Sequence, residues 1–199
     1  ISPDAILKGF SWQQTAPTAV TYTFEMSSPQ QWGYKTRYDG TQLILSLKHP
    51  PDVKQGIAGL RIFLDPGHGS ANDLGSQGPT GYPEKDATLK LSQKLATILR
   101  QRGAIVSLSR QGDDDLWPND RAALIEKQEP DLAISLHYNA LPDEGDAENT
   151  QGISSYWYNY SSYSLAQFLQ RYIATHLHRS SYGIFWDNLA LTRPTVSPA

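Results

Sequence analysis

The sequence predicts an α/β fold: an open, mostly parallel sheet flanked by helices on both faces, with a small N-terminal β appendage. Three observations carry this. From Leu60 onward, short apolar runs of strand character alternate with stretches of helical periodicity. One of those runs, "DLAISLHYNA" at 131–140, opens almost continuously apolar, as a strand buried on both faces would. Before residue 57 the texture differs, with Thr-, Tyr-, Val- and Leu-rich segments and no helical period.

In chain order, "TAVTYTFEM" (18–26), "WGYKTRY" (32–38) and "TQLILSLK" (41–48) read as strands, with Asp39-Gly40 as a two-residue hairpin turn. "HPPDVKQG" (49–56) reads as a linker, because Pro50-Pro51 cannot continue a ladder. "LRIFLD" (60–65) is the first strand of the main domain. "EKDATLKLSQKLATILRQRG" (84–103) is a helix with Leu91, Leu95, Ile98 and Leu99 expected on its inner face and Gly103 as its stop. A strand at 104–109, a short helix at 120–128 closed by Pro130, and the strand at 131–140 follow. "GISSYWYNY" (152–160) is a further, more exposed strand. The helix at 164–179 is expected to turn Leu165, Phe168, Leu169, Tyr172 and Ile173 inward.

Composition bounds the function. The chain has 199 residues, 39% of them apolar and 19% charged, and a net charge of −3, so no basic field argues for nucleic acid. No apolar run approaches the roughly 20 residues of a membrane span. Cysteine is absent, so any metal site must be built from His, Asp and Glu. The chain opens on Ile1 rather than Met, which reads as a processed or excised piece of something longer.

Ligands in open α/β sheets gather at the carboxyl ends of strands. His68, in "DPGHGS", follows the strand at 60–65, and His137 lies near the end of the strand at 131–140. Glu84 begins the long helix. Two imidazoles and a carboxylate form a catalytic zinc ligand set with one position left for water. Gly67 and Gly69 would let the backbone turn and leave room beside His68. Each residue also has a plainer reading. Either histidine could be an exposed or hydrogen-bonded strand-end residue, and Glu84 a favourable charge at a helix N-terminus.

The ordered motifs "RIFLDPGHGS", "GYPEKDATLKLSQKLATILRQRGAIVSLSR", "NDRAALIEKQEPDLAISLHYNA" and "GISSYWYN" resemble the zinc-dependent N-acetylmuramoyl-L-alanine amidases of type 3 over residues 60–194. The resemblance implies that His68, Glu84 and His137 bind one Zn2+. It implies hydrolysis of the amide between N-acetylmuramic acid and L-alanine in peptidoglycan, in the periplasm or outside the cell. On this reading residues 1–57 are the β-rich appendage and linker, and 58–199 the catalytic domain. A recruiting or activating cell-envelope protein is an expected partner.

The family's catalytic glutamate lies on a later strand, but here the chain reads "LALTRPTVSPA" and stops. The C-terminal strand is therefore expected to be missing, and the chain as written to bind zinc poorly or turn over slowly. Glu84 is no substitute, because ligation uses up its basicity. Two other readings stand beside this one: a peptidoglycan-binding module without catalysis, and a zinc peptidase acting on soluble peptides.

Asn139, two residues past His137, is expected on the same side of its strand, contacting substrate or making a structural hydrogen bond. Arg110 and Arg121 read as loop anchors, and Asp65 as a buttress for a zinc-binding histidine or a loop cap. "GDDD" (112–115) reads as a solvated turn. His176 and His178 suit a helix C-terminus. In "SSYWYNYSSY" (154–163), alternate aromatics are expected in the core. Related division amidases insert a long segment with a zinc-blocking helix after this strand. Here strand runs straight into helix, which predicts an open cleft.

Overall fold

In the computed structural model, residues 6–142, 144–146 and 148–199 are described, so residues 1–5 of the expected appendage lie outside the described set. Two antiparallel hairpins come first: β1 (Leu7–Ala16) with β2 (Ala19–Met26), and β3 (Tyr34–Asp39) with β4 (Gln42–Leu47). β1 is a strand that sequence reading passes over. The second hairpin turns at Gly40-Thr41, one residue later than expected, because Asp39 pairs with Gln42.

The two hairpins are held differently. β1–β2 is almost wholly exposed. The second hairpin is bolted to the rest of the chain. Tyr34 N–H donates to the Thr195 carbonyl at 2.7 Å, and Thr195 Oγ1 donates to the Tyr34 carbonyl at 3.0 Å. Lys48 Nζ donates to the carbonyls of Glu129 and Pro130 and faces Asp131 at 3.4 Å. Burial holds the Lys48 ammonium below the ordinary lysine range, against the pull of Asp131. Gln30 reaches Ser161 and Ser164 at 2.8 and 2.7 Å.

The main domain is built on β5 (Arg61–Pro66), which lies between β6 (Ile105–Leu108) and β7 (Leu132–Leu136) in a parallel three-stranded sheet. β5, rather than the expected β7, is the fully buried strand, from Ile62 through Pro66. Its central place explains this, since both edges are paired and both faces are covered. Ile62 and Leu64 pack with Ala96, Leu95 and Leu99 of α1 (Glu84–Gln101) on one face. Phe63 packs with Ile125 and Leu124 of α2 (Pro118–Gln128) on the other. Each such side chain contributes about 1.5–3 kcal/mol on burial.

α1 presents a different stripe from the one its leucines suggest. Thr88, Ser92 and Ala96 are fully buried, whereas Leu91 and Ile98 are 46% and 48% exposed. Small residues bring the helix close to the sheet, and the contact line shifts by about one position. α2 starts two residues earlier than expected, with Pro118 in its first turn and Asp120 accepting from the Trp117 N–H at 3.1 Å.

β8 (Ile153–Trp157) pairs in parallel with β9 (Ser181–Trp186), joined by α3 (Tyr160–His176). β9 was not anticipated. Every ladder of the α/β region is parallel among the described residues. Asn139, three residues past the end of β7, bonds Ser154 in β8. Ala133 in β7 donates to Pro198, and Ala199 donates to Ser162 in the first turn of α3. α3 buries Ser161, Ser162, Ala166 and Gln170. Phe168 and Tyr172, expected inward, are more than 45% exposed and stack on each other at 5.5 Å.

The aromatics of 154–163 are likewise not core. Tyr156 stacks on Phe185 at 5.4 Å and Tyr158 on Trp186 at 5.6 Å, along a two-stranded ladder against which α3 packs through Gln170. Among the described residues, no helix is long and apolar enough to cross a membrane.

Candidate metal centre

Two strand ends and one helix start converge at the carboxyl edge of the β5–β7 sheet. β5 ends at Pro66 and delivers His68. β7 ends at Leu136, earlier than the expected residue 140, and delivers His137. The Leu136 carbonyl accepts from Gly67 as the last rung of the ladder, and beyond it the Tyr138 N–H donates to Glu84 Oε1 at 2.7 Å instead.

His68 Nε2, His137 Nδ1 and Glu84 Oε1 form a nearly equilateral triangle. His68 to Glu84 is 3.1 Å, His137 to Glu84 is 3.2 Å, and the two ring nitrogens are 3.2 Å apart. Zinc bonds of roughly 2.0–2.1 Å in a tetrahedron set neighbouring ligand atoms roughly 3.3–3.4 Å apart. The triangle is within a few tenths of an ångström of that, so the donor set fits a zinc-sized cation. Its chemistry fits too, with two imidazoles and one carboxylate facing a common point.

Glu84 is 4% exposed and fully engaged. Its Oε2 accepts from the Ser76 N–H and Oγ at 2.8 and 2.7 Å. Burial opposes its charge, but the hydrogen bonds from His137, Tyr138 and Ser76 outweigh that and hold the carboxyl at about 2. It is therefore an anion at any physiological pH.

The loop carrying His68 is fixed from beneath by two buried arginines. Arg110 donates to the carbonyls of Pro66 (2.9 Å), Gly67 (3.0 Å), Lys85 (2.7 Å) and Gly112 (2.9 Å). Burial, and the neighbouring charge of Arg121, hold its guanidinium below the ordinary arginine range. Arg121 donates to Pro66 (2.7 Å), to His68 (2.5 Å) and to Asp65 Oδ1 (2.8 Å). Thr88 Oγ1 adds a bond to the Gly67 carbonyl at 2.7 Å. The expectation of loop anchoring by both arginines holds.

Asp65 does not buttress a histidine. It is wholly buried and accepts from Ser109, Ser135 and Arg121. The carboxylate beside His68 is Asp73, whose Oδ1 lies 2.6 Å from Nδ1. Sequence reading missed it, and its only signal is an acid five residues after the histidine in a glycine-bracketed loop. Ser76 had no signal at all. "GDDD" is more than a solvated turn, since Asp113 pairs with Lys85 at 2.5 Å and Asp115 accepts from Ser70 at 2.8 Å.

The glycines act differently from expectation. The space a side chain at Gly67 would need is filled by the His137 ring, 2.4 Å from where a Cβ would sit. Gly75 is the glycine beside His68, where a Cβ would meet its ring at 2.6 Å and Glu84 Cβ at 2.7 Å. Asn139 lies beyond the strand, so strand alternation does not place it. Its Nδ2 donates to Ser154 Oγ at 2.7 Å, in an exposed hydrogen bond. Only Tyr158 and Asn159 separate β8 from α3, and among the described residues the cluster has three members. The His137 side chain is 43% exposed.

Residues 62–199 match the model of a family described as N-acetylmuramoyl-L-alanine amidase. The chain is 33% identical over 144 residues to the probable cell wall amidase LytH of Staphylococcus epidermidis, covering 72% of this chain and 46% of that protein. The LytH of Staphylococcus aureus is 32% identical over 148 residues, 73% of this chain and 47% of the relative. The chain thus spans about half the length of these curated relatives. Among solved structures, the amidase AmiC2 of Nostoc punctiforme superposes with a TM-score of 0.64 at 27% identity, over 71% of this chain and 77% of that one. An N-acetylmuramoyl-L-alanine amidase from Clostridium difficile superposes with 0.63 at 32% identity, over 70% and 76%.

Proposed function

The chain belongs to the N-acetylmuramoyl-L-alanine amidase family, and on that premise we propose that it hydrolyses the amide between N-acetylmuramic acid and L-alanine in peptidoglycan, using one zinc ion held by His68, Glu84 and His137. The observation that carries the reading is the triangle of donor atoms with edges of 3.1 and 3.2 Å at the carboxyl ends of β5 and β7.

Zinc, when bound, lowers the pKa of a coordinated water to about 7 and polarises a carbonyl oxygen. The chain's own residues supply the rest. Glu84, ionised down to about pH 2, brings the one anionic ligand. Arg110, Arg121 and Thr88 hold the loop that presents His68, so that ligand is set before a metal arrives. The exposed flank at His137 is where substrate enters, with Asn139, anchored on Ser154, as a substrate contact. No general base is assigned among the described residues. The cell-wall relatives support action in the cell envelope.

Mass spectrometry of muropeptides incubated with the chain, with and without zinc, tests the reading. Zinc-dependent release of intact stem peptide from muramic acid is expected. Zinc binding without cleavage would overturn the hydrolase reading for this chain and leave a wall-binding module, and cleavage of plain peptides alone would make it a peptidase.

A further inference from the structure

We propose that Asp73 is a positioning residue that selects the ring tautomer and orientation of His68, so that Nε2 is the nitrogen offered to the metal. The inference rests on the metal-centre reading above.

An ionised carboxylate can only accept hydrogen bonds, and a neutral imidazole donates from one nitrogen and offers a lone pair on the other. Asp73 Oδ1 stands 2.6 Å from His68 Nδ1, which places the ring proton there. Nε2 then carries the lone pair, and it is Nε2 that faces Glu84 Oε1 and His137 Nδ1 at 3.1 and 3.2 Å. The opposite tautomer would present an N–H to the cation.

The carboxylate is itself held in place. The Gly69 N–H donates to the Asp73 carbonyl at 3.0 Å in an antiparallel bridge, which folds the loop back so that residue 73 returns beneath residue 68. His68 has φ of +62°, a left-handed conformation that costs a non-glycine residue about 1 kcal/mol or more and persists only where its surroundings over-determine it. The arginine bonds to the carbonyls of 66–68 fix the backbone, and the Asp73 contact fixes the ring. His137 contrasts with this. Among the described residues nothing bonds its Nε2, and its ring is set by packing against Gly67. Asp73 Oδ1 is committed at Nδ1, so this oxygen serves the ring rather than the ion.

The test uses the full chain stripped of metal, with variants D73N, D73A and H68A, and D52N as an exposed-acid control. Zinc affinity is read by competition with a chromogenic chelator, circular dichroism checks that each variant is folded, and 15N NMR at pH 8 reports which His68 nitrogen is protonated. Loss of such a partner weakens metal binding roughly 10–100-fold. D73A is expected near the upper end, and D73N less affected, because its amide oxygen still accepts from Nδ1. D52N is expected to match wild type. The NMR of the unsubstituted chain should place the proton on Nδ1, and D73A should show a mixture.

Zinc binding by D73A as tight as by D52N, or a wild-type proton on Nε2, overturns this inference and leaves the metal reading standing. A wild-type chain that binds no zinc overturns both.

Discussion

The loop of residues 66–69 and the segment after β7 deliver one imidazole each to the same point, but from opposite mechanical circumstances. The carbonyls of Pro66, Gly67 and His68 accept five side-chain hydrogen bonds, four from buried arginines and one from Thr88. The His137 segment has the Tyr138 N–H bond to Glu84 and the Asn139–Ser154 contact, and its imidazole is almost half exposed. One half of the site is built into the core and the other sits at its rim. The two halves should fail differently: damage to the arginine clamp on the backbone of the first should appear as lost stability, and damage to the second as lost metal or substrate binding.

The largest effect should come from breaking the clamp. Arg121→Met strands Asp65 as a buried charge without its cation, a change that costs about 3–5 kcal/mol. For a chain of this size that is a fall in melting temperature of roughly 10 °C, and a shift of under about 2 °C would show that the clamp carries no stability.

Acid should act next. Glu84 has its carboxyl at about 2 in the folded metal-free chain against an ordinary 4.5, so the unfolded chain binds more protons between those values. The stabilisation is complete above about pH 4.5 and is lost as pH falls through about 2. It is on the order of 3 kcal/mol. Urea titrations from pH 6 to pH 2.5 should show this decline, and Glu84→Gln should flatten it.

Gly67→Ala sharpens the comparison from the other side. The new methyl would collide with the His137 ring, which is free to move outward, so the expected outcome is zinc affinity weakened roughly tenfold with the fold retained. Loss of folding instead would place His137 in the rigid half. The smallest effect is expected of Asn139→Ala: its exposed bond to Ser154 is worth no more than about 1 kcal/mol in stability. A several-fold rise in KM on muropeptides with kcat unchanged would support its substrate role.

The rigid half was also the less legible half. His68, Glu84 and His137 stood out as candidates at strand ends and a helix start, the family resemblance joined them into one ligand set, and the fold brings the three together. Their supports were legible only in part. Arg110 and Arg121 read as loop anchors, but which carbonyls they hold has no sequence signature, and Asp73 depends on a loop closing between Gly69 and Asp73. β7 was read too long because apolar pattern alone does not reveal that the Tyr138 N–H leaves the ladder for Glu84. The aromatics of β8 read as core by alternation, yet Tyr156 stays exposed against Phe185, and the contact with α3 is made through Ser155 and Gln170 instead.

Three side chains from two strand ends and one helix are proposed to hold a single zinc ion. A crystal of the zinc-soaked chain, measured on both sides of the zinc absorption edge, addresses it directly. One strong anomalous peak is expected between His68 Nε2, Glu84 Oε1 and His137 Nδ1. A peak at the acidic turn of 113–115, or none at the triangle with zinc in excess, would contradict it.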